Sequence, residues 1–204
     1  QTRPPSQAWN TFIRNHMLEI VAIDFFTVPT VTFRTLYVFL ILSLDRRRII
    51  HLNVTSNPTA EWTSLQLIQA FPFDTVPRYL IRDRDGAYGP KVIDTLNFLD
   101  IEQIVTAPRS PWQNGYCERV IGTIRRECLD HVIALNENHL RRVLKEYLKY
   151  YHESRTHLGF EKDAPEPRTI QAQAVGQCAL HDLPLRASRA GAARLQHRRV
   201  GRAL

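Results

Sequence analysis

The sequence predicts an α/β domain, and three observations carry that prediction. Residues 18–28 form a run of β-branched and aromatic residues, and two more strand-like runs, 35–44 and 48–53, follow with only Asp45-Arg46-Arg47 between them. The apolar period then changes: residues 56–71 and 91–99 carry helical spacing, interleaved with short strands at 79–81 and 101–106. Strands that pair antiparallel first and then alternate with helices give a sheet covered by helices on both faces.

Composition bounds what such a domain does. A chain of 204 residues suits one domain with or without an appendage, and a hydrophobic fraction of 44% is ordinary for a soluble fold. No apolar run approaches the roughly 18 residues of a membrane span, and no signal-peptide pattern stands at the start. The chain opens on Gln1 rather than Met, so it reads as a piece of a longer product. Three cysteines without a CxxC spacing argue against a disulfide framework or a zinc knuckle and for a reducing compartment. Net charge is +7 with a pI near 9.7, which favours a polyanionic partner. Residues 165–204 hold seven Arg against two acids, so five of the seven net charges lie in this tail, where nucleic-acid contact is expected.

Taken in order, residues 1–17 read as an irregular lead-in ending in one helical turn, 18–164 as the domain, and 165–204 as a basic tail and a candidate for disorder. In the first strand Asp24 lies between Ile23 and Phe25. A carboxylate has little place there unless it is paired or binds metal; the bland alternative is an edge-exposed Asp. The Arg46–Arg48 run at the hairpin tip reads as solvated rather than phosphate-binding. In the next helix Asn57 is the expected N-cap with Pro58 at N1, and Trp62, Leu65, Leu67 and Ile68 the inward face. Val92, Ile93, Leu96 and Leu99 form the inward face of the second helix. Pro108, Pro111 and Gly115 then break the chain into a loop, a place where substrate contact tends to concentrate.

In the helix after this loop, Cys117, Val120, Ile121, Ile124 and Cys128 fall within about 100° of one another, an apolar stripe that marks both cysteines as core. Glu118 lies just off that stripe, with Arg125 two turns on and Gly122 between them. This flank suits a carboxylate facing a metal, a phosphodiester passing over Gly122 and a guanidinium on the phosphate. On the helix alone, a surface Glu–Arg pair of little consequence is the stronger reading. The last helix, 137–152, turns Leu140, Val143, Leu144, Tyr147, Leu148 and Tyr151 inward, as core or in part as an interface, and Arg141, Arg142, Lys145 and Lys149 outward. The histidines lack triad or zinc spacing.

The second acidic cluster, Asp83-Arg84-Asp85-Gly86, closes the strand at 79–81, and 34 residues separate Asp83 from Glu118. That interval holds a helix, a strand and a loop, so both carboxylates can meet Asp24 at one sheet edge, where three acids make a site for a divalent metal.

The words around these acids settle the comparison. AIDFFTV, IRDRDGAYG, APRSPWQNGYCERVIGTIRRECLDH and HLRRVLKEYLKYYHESRTHLGF resemble the Asp-Asp-Glu catalytic core of retroviral integrases and bacterial insertion-sequence transposases, over residues 9–167. The resemblance implies a ribonuclease-H-like fold: a five-stranded mixed sheet, its first three strands antiparallel, with helices on both faces. It implies catalytic and metal-binding roles for Asp24, Asp83 and Glu118, and DNA contact by Arg125, with Arg119, Arg126 and Asn114 beside it. Mg²⁺ or Mn²⁺, two ions with DNA bound, suits such hard oxygen donors. The implied activity is a polynucleotidyl transferase cutting DNA 3′ ends and joining them to a target. Its partners are element ends, target DNA and further copies of the chain, with no membrane, in a bacterial cytoplasm at the nucleoid. Two other readings stand beside it: a metal-dependent nuclease of the same fold, and a non-catalytic DNA-binding or assembly remnant. The chain shows neither the helix-turn-helix nor the His/Cys zinc module that such proteins carry ahead of the core. His157, in RTHLGF, matches a position of unassigned role. Asp83 rather than Asp85 is the expected second acid, because Tyr88 follows it by five places and because Asp85-Gly86 reads as a turn.

Overall fold

The computed structural model describes residues 7–72, 75–156 and 164–166; His157, Cys178 and the basic tail beyond residue 166 lie outside them. Strands β1 (Ile20–Pro29), β2 (Thr35–Ser43) and β3 (Ile49–Thr55) precede helix α2 (Ala60–Ala70), and α1 (Gln7–His16) stands before them. Strand β4 (Tyr79–Arg82), α3 (Pro90–Phe98), β5 (Glu102–Val105), α4 (Gly115–Glu127) and α5 (Glu137–Glu153) follow. The strands form one sheet in the order β3-β2-β1-β4-β5. β1, β2 and β3 pair antiparallel, while β4 runs parallel to both β1 and β5. This is the five-stranded mixed sheet of the ribonuclease-H-like fold.

Strand periodicity sorts the core into two layers. From β1, Ile20, Ala22, Phe26 and Val28 pack with α4 and α5, whereas Val21 and Ile23 pack with α2 and α3. Asp24 belongs to the first series. It occupies an α4-facing position that Leu or Ile would otherwise fill, and this is what brings it toward the helix carrying Glu118.

Several elements differ from their sequence-based expectation. The lead-in holds a ten-residue helix rather than one turn: Ile13 is buried, and Phe12 meets Tyr79 of β4 edge-on at 5.4 Å. Helix α2 is capped by Thr59, not Asn57; its hydroxyl accepts from Trp62 N at 3.2 Å. Thr59→Ala therefore lowers stability by about 1 kcal/mol, read as a fall of about 2–4 °C in thermal unfolding. Leu65 and Ile68, expected inside, are 55% and 50% exposed. Gln66 is buried instead, because His51 and Asn53 of β3 bond its amide oxygen at 2.9 and 2.7 Å. On α3, Ile93 likewise faces solvent while Thr95 turns in and bonds the Lys91 carbonyl.

Two arginines expected to be solvated are structural. Arg46, at a left-handed φ of 45°, donates to the carbonyls of Ala164 and Pro165, both at 2.8 Å, and ties the segment beyond α5 to the β2–β3 turn. Arg141 does not face outward: it donates to Asn53 Oδ1, to the Val54 carbonyl and to Glu137, fastening α5 to β3. The α4 stripe is as expected, with Cys117, Val120, Ile121, Ile124 and Cys128 all buried and both thiols free. Tyr147 and Arg155 both donate to Glu127 at 2.8 Å, joining α4 to α5 and holding that carboxyl below the usual range, Arg155 contributing most.

Candidate active site

The β1–β4 ladder ends at the rung Ala22–Ile81. Two residues further along each strand stand Asp24 and Asp83, level with one another at the carboxyl end of β4. Sheets with parallel strands bind ligands at this edge, where connections leave the strand ends. Glu118 arrives from the first turn of α4, where the helix N-terminus favours an acid. All three carboxylates line one cavity of about 350 Å³.

Asp24 and Asp83 are half-buried and Glu118 is exposed. Asp24 Oδ1 accepts from Phe25 N at 2.8 Å, and its Oδ2 from Asn114 Nδ2 at 3.3 Å. Burial and then the charge of Asp83, with smaller contributions from Glu118 and Asp85, raise its pKa to about 7, against the Phe25 N–H, which lowers it. Behind it lie two buried groups, the Tyr88 phenol and the Cys117 thiol. Both are pushed well up, by burial first and by Asp24 next. The three carboxylates thus concentrate negative charge on one side of the cavity.

The two acids of the cluster take different places. Asp83 lines the cavity and its Oδ1 accepts from Asp85 N at 3.1 Å. Asp85 is not among the lining residues; its Oδ1 accepts from Ala87 N at 2.8 Å, the turn hydrogen bond of an Asp-Gly pair.

The basic residues are arranged otherwise than expected. Arg125 lies outside the cavity: it donates to the Thr27 carbonyl at 3.2 Å and sits over the Phe26 ring at 5.5 Å. Nor do Arg119 and Arg126 line it. The Gly122 flank is not bare, since Arg126 covers it; a Cβ there would meet Arg126 Nη1 at 3.1 Å. Asn114 is buried, its amide nitrogen spent on Asp24 and on the Ile23 carbonyl, while its Oδ1 has no partner. The cations that line the cavity are Arg84 and Arg109, which the sequence reading left aside. Arg84, lying between the two acids of IRDRDG, was the available signal. Arg109 has a left-handed φ of 59°, which turns the Pro108–Pro111 loop toward the cavity rim.

Among the described residues, no three of His, Cys, Asp and Glu are gathered closely enough to hold an ion as they stand. The chemistry of the donors nevertheless fits a hard divalent cation: three carboxylates face one space, and Asp24 has its pKa raised by burial first and by the neighbouring Asp83 charge next, both of which a cation would offset.

Comparison with known proteins supports the fold. Residues 99–165, which include Glu118, match the integrase core domain family model. A chain of the simian T-cell lymphotropic virus intasome, solved in complex with PP2A regulatory subunit B56 gamma, superposes with a TM-score of 0.60 at 15% identity. That match covers 78% of this chain and 60% of the viral one, so the chain spans less than two thirds of that relative. The Mos1 transposase catalytic domain, solved with Raltegravir and Mn, gives 0.58 at 15% identity, covering 69% of this chain and 76% of that one. The HTLV-2 integrase catalytic core domain in complex with magnesium gives 0.50 at 11%, covering 72% and 92%. No curated protein sequence matches. The fold is therefore the ribonuclease-H-like one of these integrase and transposase catalytic domains, and residues 99–165 are similar to the integrase core domain family. Within the chain, the family-model match runs from the end of α3 through α4 and α5.

Proposed function

We propose that this chain is the catalytic core of a DNA transposase or integrase, performing divalent-metal-dependent cleavage at DNA 3′ ends followed by strand transfer. One observation carries the reading: Asp24, Asp83 and Glu118, from β1, the end of β4 and the start of α4, line a single cavity and are electrostatically coupled. These three would hold Mg²⁺ or Mn²⁺, the metals named with the similar HTLV-2 and Mos1 structures. Bound there, such ions would supply the charge that activates an attacking oxygen and stabilises a leaving one at phosphorus. The protein's own groups have other tasks. Asn114 orients Asp24, Arg84 and Arg109 hold the phosphodiester at the rim, and Asp24, its pKa raised to about 7 by burial and by Asp83, would be held in its charged form by a bound cation. Water and then a DNA 3′-hydroxyl serve as nucleophiles, so no side chain forms a covalent intermediate.

The partners are DNA, contacted also by Arg119, Arg125 and Arg126, and further copies of the chain. The HTLV-2 core was solved in dimeric and trimeric forms. Among the described residues no helix is long and apolar enough to cross a membrane, and a bacterial nucleoid location accompanies the proposal. The rival, metal-free assembly role draws on the ungathered carboxylates.

Titration with Mn²⁺ separates the two. Calorimetry on the folded chain shows binding at millimolar Mn²⁺ or below, and Asp24→Asn removes it; no heat from folded protein leaves the metal-free role. Duplex binding has an independent signature, a linear fall of log affinity with log salt. Deleting residues 168–204, with their seven Arg, flattens that slope by roughly 0.9 for each arginine that contacts phosphate.

A further inference from the structure

A second cavity, of about 540 Å³, lies on the other side of the ridge made by residues 111–119. It is larger than the carboxylate cavity and falls within the range of about 300–1,000 Å³ of small-ligand sites. Trp9, Ile13 and Arg14 of α1 form one wall, and Trp112, Tyr116 and Arg119 the other. Both cavities share this ridge. Pro111 and Asn114 of the short turn face the carboxylates while Trp112 faces the second cavity, and Glu118 and Arg119, neighbours on α4, face one cavity each. A strand held at the carboxylates therefore lies against the same ridge that walls the second cavity.

The lining fits one ligand chemistry. Three aromatic rings surround an apolar floor at the buried Ile13, with two exposed guanidinium groups at the rim and no carboxylate among the lining residues. Trp9 is braced against Phe12, with ring centroids 5.8 Å apart, and one face of Tyr116 lies under Arg47 at 5.9 Å. Trp112 is half-exposed and has no ring–ring contact among the described residues. Planar faces flanked by guanidinium groups bind bases by stacking and the adjoining phosphate by charge, without choosing a sequence. A protein segment would be met by the aromatic faces but not by the paired cations, and a duplex, its bases already stacked, would not enter.

We infer that the cleft between α1 and the start of α4 is a stacking site for an unpaired nucleobase of the DNA strand held at the carboxylates, with Trp112 as the platform and Arg14 and Arg119 on the flanking phosphate. This rests on the DNA-processing reading above.

Gly115 supplies a fold-preserving test. It lines the cleft, has ordinary helical dihedrals, and a Cβ built on it meets nothing within 4 Å, so Gly115→Leu fills the cleft from within. Affinities of the full chain are compared for a blunt duplex and for the same duplex with a three-thymine 3′ overhang. The wild type prefers the overhang about tenfold, the effect of one stacked base. Gly115→Leu and Trp112→Ala each bring the ratio to about one, and blunt-duplex affinity stays within about twofold. Equal affinity of the wild type for both duplexes overturns the stacking site alone. So does a preference that survives Gly115→Leu, or a change of oligomeric state caused by Gly115→Leu, which makes the cleft a protein contact. Failure to bind either duplex overturns the DNA reading itself, and the stacking site with it.

Discussion

Asp83→Asn lowers Mn²⁺-dependent DNA cleavage by at least about a thousandfold, whereas Asp85→Asn leaves it within about tenfold of wild type. The expected loss corresponds to the several kcal/mol of transition-state charge stabilisation that a metal site supplies. Asp83 lines the cavity with Asp24 and Glu118; Asp85 sits in the following turn with its carboxylate on the Ala87 amide. Asparagine at position 85 keeps an oxygen that accepts the same hydrogen bond, so the turn survives. At position 83 it keeps the bond to the Asp85 amide while losing the charge, which separates chemistry from folding. Single-turnover cleavage of a duplex end, with circular dichroism of each variant, makes the measurement. Loss of activity in Asp85→Asn with retention in Asp83→Asn would reassign the second acid.

Replacing Asp24 has the opposite sign for stability. Its pKa is raised from 3.8 to about 7, so between these values the native chain holds a proton that the unfolded chain has released. Stability therefore falls as pH rises through that window, and the cost is complete above about pH 7. Three units correspond to about 4 kcal/mol at most; with the carboxyl partly exposed, about 2 kcal/mol is expected. Asp24→Asn removes the cost. In urea denaturation at pH 8 the variant is more stable than wild type by about that amount, and near pH 4 the two are nearly equal. Saturating Mn²⁺ stabilises the wild type at pH 8 and not the variant. A variant less stable than wild type at pH 8 would mean that Asp24 is not under electrostatic strain.

Much of this architecture was legible because it is local. A lone acid in a run of Ile, Val and Phe stands out whatever the fold, and the spacing of Cys117, Val120, Ile121 and Ile124 specifies a buried helix face without help from elsewhere. What escaped the reading depends on partners distant in sequence. Leu65 and Ile68 follow helical spacing as well as any core pair, yet α2 turns Gln66 inward because β3 offers His51 and Asn53. Arg46 and Arg141 look like surface cations until the carbonyls they hold are brought near. Asn114 was read as a DNA contact; its nitrogen instead holds an aspartate some ninety residues earlier. Arg84 and Arg109 come together only where the end of β4 and the loop after β5 meet at one edge of the sheet, which no local pattern announces.

The β1 register has a consequence for how the site opens. Asp24 lies inside a strand whose pairing with β2 is unbroken from Val21 to Pro29, so its backbone amide exchanges hydrogen only when the sheet itself comes apart. Asp83 follows the last residue of a four-residue strand, and Glu118 stands one turn into a helix entered from a proline-broken loop. Their amides exchange through local fluctuations at far lower free energy. One carboxylate is thus a fixed post and two are on hinges, so on the proposed metal reading the gathering of the three around an ion falls to the hinged pair. Deuterium uptake with and without Mn²⁺ reports this asymmetry, with protection gained around residues 83–88 and 107–118 and none at Asp24, which is already at the ceiling.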